Sequence, residues 1–277
     1  MTLYISRIFH QPNFKISGDD KELFALLRLL YSPFIDENPI DGTYDIEITK
    51  CGNDYTIKHN GAETVTNMPL VEIDRIFFES TVYDNSILAL HGAAVEAQGK
   101  AYLFLAATTT GKTTLTSYLT SAGFGYITDD CILIDREKLT VFPFNCPVKL
   151  REGGLEVLTR IGKTPRNLRH IDDAFVQRYL YTPQNCVVQP LPLGSIYFIE
   201  RSETENMLVS LSTNEKMSEL LKSPITLYQT SPQYLKLLAR LVKFGCNRLV
   251  YRDMNFVADI INEAAHKIIG QAGEVIG

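Results

Sequence analysis

One eight-residue stretch and its surroundings restrict the fold of this chain more than anything else in it. Residues 106–113 read Ala-Ala-Thr-Thr-Thr-Gly-Lys-Thr, between a strand-like run, Ala101–Ala106, and a helix-like run from Lys112 to Ala122 that Gly123 ends. A strand, then G-x-x-x-x-G-K-[ST], then a helix is the phosphate-loop pattern. Here Ala106 stands at the first glycine and threonines fill the interior. In such a loop the backbone of Ala107, Thr108, Thr109, Thr110, Gly111, Lys112, Thr113 and Thr114 would wrap a phosphate, and the helix N-terminus would add partial positive charge. Gly111 allows close backbone approach. Lys112 would bridge the β- and γ-phosphates, and the Thr113 hydroxyl would face Mg²⁺. The competing reading is an ordinary strand-to-helix turn. The flanking elements favour the phosphate loop, and with it ATP or another nucleoside triphosphate plus Mg²⁺.

Composition narrows the surroundings. The 277 residues suffice for one large domain or two small ones. A net charge of −5 and a pI near 5.6 argue against a generally basic, nucleic-acid-wrapping surface. No apolar run approaches the roughly 20 residues of a membrane span, and residues 1–14 lack the apolar stretch of a signal peptide. Five scattered cysteines without C-x-x-C point to reduced, mostly buried thiols, hence a cytoplasmic setting.

Along the chain, residues 1–85 read as a small N-terminal α+β unit. It has a strand at Leu3–Ile8 and a helix at Asp19–Tyr31 with Ser17 or Asp19 as its cap. A hairpin pairs Tyr44–Thr49 with Tyr55–His59, and a second helix covers Pro69–Val82. Residues 86–277 carry the phosphate loop. Strands are expected at Ile87–Val95, Gly125–Thr128, Cys131–Asp135, Thr140–Phe144, Leu193–Glu200 and Arg248–Tyr251. Helices are expected at Asn214–Leu221, Pro232–Phe244 and Met254–Ile268. Arg151–Gln189, where glycines, prolines and basic residues alternate, reads mostly as loop.

Two further groups bear on the chemistry. A helix leaving the phosphates must be followed by a strand running back, so Asp129-Asp130, at the end of Gly125–Thr128, arrive on the phosphate side. Neighbours on a strand point to opposite faces, so one carboxylate could serve Mg²⁺ while the other meets an acceptor hydroxyl. A turn-forming acid pair is the plainer alternative. His91 opens His-Gly-Ala-Ala-Val one strand earlier, where either a packed histidine or an acid–base group fits.

The order of strand, HGAAVE, strand, GKTTL, helix, DDCILID and VFPFNCPVKL resembles the HPr kinase/phosphorylase family and its shorter relatives, including kinases of ribosomal-peptide biosynthetic clusters. His91 precedes Lys112 by 21 residues, and Asp129 and Asp130 follow it by 17 and 18, as in that family's pattern. The resemblance implies an α/β fold with a phosphate-loop core and mixed sheet of the phosphoenolpyruvate carboxykinase type. It implies an ATP- and Mg²⁺-dependent serine kinase. Lys112 goes to the phosphates, Thr113 and Asp130 to the metal, Asp129 to general base, and His91 to a place near the transferred phosphoryl group. The family's Glu-x-Arg-Gly-Leu-Gly segment has no clear counterpart; the nearest is Lys149-Leu-Arg-Glu-Gly-Gly.

The expected acceptor is a serine on a peptide or small protein, docking on the N-terminal unit and the 151–189 segment; homo-oligomer contacts are the alternative use of that unit. Lys149 and Arg151 are candidate phosphoryl-binding cations, whereas Lys163, Arg166 and Arg169 read as a solvated loop. Two other functions remain open. One is a small-molecule kinase or carboxykinase-like transferase; the other is a non-catalytic nucleotide-binding regulator.

Overall fold

The computed structural model describes residues 1–6, 13–82, 86–107, 110–172, 177–223 and 232–273. The chain is mixed α/β and divides into two compact units, Met1–Asp84 with Asp172–Gln177, and Asn85–Ile171 with Arg178–Gly277.

The first unit contains β1 (Thr2–Ile5), β2 (Asn13–Gly18), α1 (Lys21–Leu30), β3 (Ile35–Asp36), β4 (Thr43–Cys51), β5 (Asp54–His59), β6 (Ala62–Thr66) and α2 (Pro69–Val82). Its sheet runs β3-β1-β2-β4-β5-β6. Alternation buries Leu3, Ile5, Phe14, Ile16, Ile46, Ile48, Tyr55 and Ile57 on one face, as a sheet with one solvated side requires. Phe14 meets Phe77 of α2 with ring centroids 4.6 Å apart. The cap of α1 is Asp20 rather than Ser17 or Asp19, its Oδ1 accepting from the Glu22 and Leu23 N–H groups at 2.9 and 3.1 Å. Asp20 Oδ2 accepts from Tyr55 Oη at 2.6 Å and pairs with Lys50 Nζ at 2.7 Å. Burial opposes ionisation of Asp20, but Lys50, Tyr55 and the two backbone donors outweigh it and hold the carboxyl well below the usual range.

The second unit contains β7 (Ile87–Ala97), β8 (Lys100–Leu105), α3 (Lys112–Ser121), β9 (Gly125–Thr128), β10 (Cys131–Asp135), β11 (Thr140–Phe142), β12 (Val148–Leu150), α4 (Glu152–Arg160), β13 (Arg169–Asp172), β14 (Gln177–Tyr181), β15 (Leu191–Arg201), β16 (Met207–Ser210), α5 (Thr213–Leu221), α6 (Pro232–Leu241), β17 (Cys246–Tyr251) and α7 (Met254–Gly273). The main sheet runs β11-β10-β7-β8-β15-β17-β16, and β11 also pairs with β15. β15 is parallel to β8 and β17, while β7 is antiparallel to β8, β9 and β10, so the sheet is mixed. Its central strands β7, β8 and β15 are largely apolar runs because both faces are covered there, whereas the edge strand β16 is mostly exposed.

One register detail places the site. β9 and β10 lie along the same edge of β7, with Ala94↔Thr128 on one side and His91↔Cys131 on the other. The segment 125–135 is therefore one strand bent at Asp129-Asp130, and the Gly92 N–H still reaches the Asp130 carbonyl at 3.2 Å. On β7's other edge, Gly92 pairs with Leu105, the last residue before the loop. A Cβ at Gly92 would stand 2.7 Å from Ile132 Cδ1, Leu105 Cδ2 and the Phe104 carbonyl, so glycine is what lets these three strands close.

Arg151–Gln189 differs from its expected loop character: α4, β13 and β14 lie there, and β12-β14-β13 form a small sheet. Two glycines in α4 and a single buried side chain, Leu158, hid the helix. Gly154 is there for packing, since a Cβ would meet Thr114 Oγ1 at 2.7 Å and Leu150 Cδ1 at 2.8 Å. Among the described residues no helix is long and apolar enough to cross a membrane.

Candidate functional site

Gly111 has φ 94° and caps α3 without any side-chain hydrogen bond, so among the described residues no side-chain cap covers the first N–H groups of that helix. Thr110 Oγ1 donates to the Ala107 carbonyl at 2.7 Å and ties the loop internally. Lys112 Nζ donates to the carbonyls of Ala106 and Ala107 at 2.9 and 3.0 Å. Lys112 is only 6% exposed; burial pulls its pKa down, and Asp130 and Asp129 push back. Thr108 and Thr109 lie outside the described residues.

A cavity of about 410 Å³ brings together His91, Gly111, Lys112, Thr113, Thr114, Asp129 and Asp130. Motifs far apart in sequence thus meet where Leu105, Gly92 and Asp130 lie side by side on neighbouring strands. Ala107 and Thr110 belong to the loop but do not line this cavity. The same walls include Lys149 at β12, Arg151 at the cap of α4, Gly153 and Gly154 within α4, and Arg178 on β14. The Lys149-Leu-Arg-Glu-Gly-Gly segment therefore contributes to the cavity, whereas Arg169 sits on β13 and Lys163 and Arg166 line a different cavity. Arg178 escaped the sequence reading because its strand carries no clean alternation in Gln-Arg-Tyr-Leu-Tyr.

The two aspartates differ sharply. Asp129 is buried, takes a hydrogen bond from the Thr113 side chain, and among the described residues leaves Oδ1 without a hydrogen-bond partner. Burial pushes its pKa up, the Asp130 charge adds to that, and Thr113, Lys149 and Lys112 only partly offset it. Asp130 opens onto the cavity and pairs with Lys149 Nζ at 3.4 Å. Desolvation opposes its ionisation, but Lys149 and His91 outweigh this and lower its pKa. Two neighbouring carboxyls driven apart in this way can take separate acid–base roles. His91 hydrogen-bonds the Asp130 backbone; burial and the Lys112 charge lower its pKa and favour the neutral ring.

A hard divalent cation at a nucleotide typically takes one or two carboxylates and a hydroxyl, with phosphates and water completing the shell. Thr113, the outward Asp130 and the orphaned Asp129 Oδ1 fit that donor chemistry. Compared with known proteins, the chain matches no family model and no curated protein.

Proposed function

We propose that this chain is an ATP- and Mg²⁺-dependent phosphotransferase that phosphorylates a serine hydroxyl on a peptide or small protein, with a phosphate-loop core of the HPr-kinase-like kind. The reading rests on one observation: the uncapped start of α3, the loop lysine, the acid pair and His91 share a single cavity.

In this reading the first N–H groups of α3 and Lys112 bind the β- and γ-phosphates. Thr113 and Asp130 would hold Mg²⁺, which supplies charge neutralisation on the phosphate oxygens. Asp129, whose proton affinity is raised, accepts the proton of the acceptor hydroxyl. The serine oxygen bonds to the γ-phosphorus as the bond to the β–γ bridging oxygen breaks, and ADP leaves with that electron pair. Lys149, Arg151 and Arg178 supply positive charge for the transferring group, and neutral His91 offers it a hydrogen bond.

Lys112→Ala is the direct test. Phosphoryl transfer should fall below detection, a loss of about 10³ or more, as expected when the main phosphate cation is removed. Calorimetric titration with ATP should show weakened binding. Because the ammonium also ties Ala106 and Ala107, a small drop in melting temperature accompanies it. ATP affinity equal to that of the unmodified protein would overturn the reading.

A further inference from the structure

A second cavity is larger than the one at the loop. About 620 Å³ in volume, it lies farther along α3, between the segment after α4 and the segment after β14. That is an ordinary size for a small-molecule site. Its lining contains two cations, Lys163 and Arg166, and no acidic residue. Among the described residues neither cation makes an ion pair. The remaining lining is dominated by hydroxyls and amides, such as Thr120, Ser121, Asn167 and Asn185.

The walls are fixed rather than loose. The Gly162 and Lys163 N–H groups donate to the Thr159 and Leu158 carbonyls at 3.0 and 2.8 Å. Thr164 Oγ1 meets Thr159 Oγ1 at 3.1 Å, and Asn185 Nδ2 reaches the Phe124 carbonyl. Gly162 and Asn167 hold left-handed backbone at φ 69° and 57° and shape the segment bearing both cations. Tyr181 is 7% exposed, and its Oη is buried without a hydrogen-bond partner of full geometry, beside the Ser117 and Thr120 hydroxyls.

We propose that this second cavity is a binding site for a small, polar, multiply charged anion bearing phosphate or carboxylate groups, held by Lys163 and Arg166. It is distinct from the loop cavity, yet α3 and β14 each contribute to both, and α4 runs from one to the other. α3 gives Thr113 and Thr114 to one and Ser117 and Thr120 to the other. β14 gives Arg178 to one and Tyr181 to the other. For α4, Gly153 and Gly154 face the loop cavity, and Gly162 and Lys163, just past its end, face the second.

The test is isothermal titration with inorganic phosphate, pyrophosphate and citrate, carried out on Lys112→Ala to weaken the loop cavity's share of the signal. Saturable binding of at least one probe is expected, with the preference among the three separating phosphate from carboxylate recognition. Adding Lys163→Gln and Arg166→Gln should weaken it about tenfold or more, the effect of losing charge-assisted hydrogen bonds. Tyr181→Phe keeps both charges and gives a second variant, in which binding should weaken severalfold. Circular dichroism melts confirm that each variant is folded. No saturable binding by any probe, or equal binding with and without the two cations, overturns the proposal.

Discussion

Asp20 in the first unit and Asp129 in the second are both buried aspartates, and their surroundings are opposites. Asp20 accepts from two backbone N–H groups and a tyrosine and pairs with a lysine, so both of its oxygens are engaged. Among the described residues Asp129 has one hydroxyl partner and one oxygen with none. The first carboxyl is driven toward the charged form and the second toward the protonated form. A buried carboxylate that is fully engaged holds a fold together. One left partly unsatisfied at a cavity wall is free to take a proton or a cation.

The largest expected effect sharpens that contrast through activity. Asp129→Asn should slow phosphoryl transfer by about 10²–10⁴ while nucleotide affinity stays nearly unchanged, as for loss of a general base. Asp130→Asn should instead weaken Mg²⁺-dependent nucleotide binding. Steady-state rates set beside calorimetric affinities separate the two, and the opposite pattern would exchange the roles of the pair. Next in size, Asp20→Ala should cost about 2–3 kcal/mol of stability, through a lost cap and charge-assisted bonds left unmade. Denaturant unfolding measures it, and a loss under about 0.5 kcal/mol would break the comparison.

The pH dependence follows in sign. The folded pKa of Asp20 is lowered, so its contribution is complete above the unfolded value of about 3.9 and is lost as pH falls through the folded value. The stability gap between the unmodified protein and Asp20→Ala should therefore narrow below about pH 4. Asp129 runs the other way. Its folded pKa is raised, so ionising it costs stability above the unfolded value. Asp129→Asn in chelator should raise the melting temperature slightly at pH 8 and leave it unchanged near pH 3.5. A lower melting temperature at pH 8 would show that the second carboxyl, too, supports the fold.

Much of this was legible in the sequence, for physical reasons that also explain the misses. The boundaries of β9 and α2 match the expected ones: β9 runs from Gly125 to the residue before the aspartate pair, and α2 starts at Pro69. The meeting of His91 with Asp129-Asp130 was legible only as spacing; the bent strand along β7 supplies its cause. Of the cavity wall from Lys149 to Arg178, the sequence showed Lys149 and Arg151 as candidate cations, but not the helix and strands that carry it or the part played by Arg178. Its helix is short and carries two glycines, of which Gly154 packs closely on α3, and its strands have three to five residues. The cap of α1 was expected at Ser17 or Asp19 and is Asp20; Asp19 and Asp20 are identical side chains that tertiary contact with Tyr55 and Lys50 tells apart.

The seat of Lys112 on the carbonyls of Ala106 and Ala107 has a kinetic consequence. With two of the ammonium's three N–H donors held by its own loop, an arriving group that needs more than the third gains them only when the lysine swings away. Only the fraction of molecules in which it has left is ready to receive the ligand, and the apparent affinity is scaled down by that fraction. At high ligand concentration, capture would then keep time with the lysine's departures, and the observed association rate would level off instead of climbing with concentration.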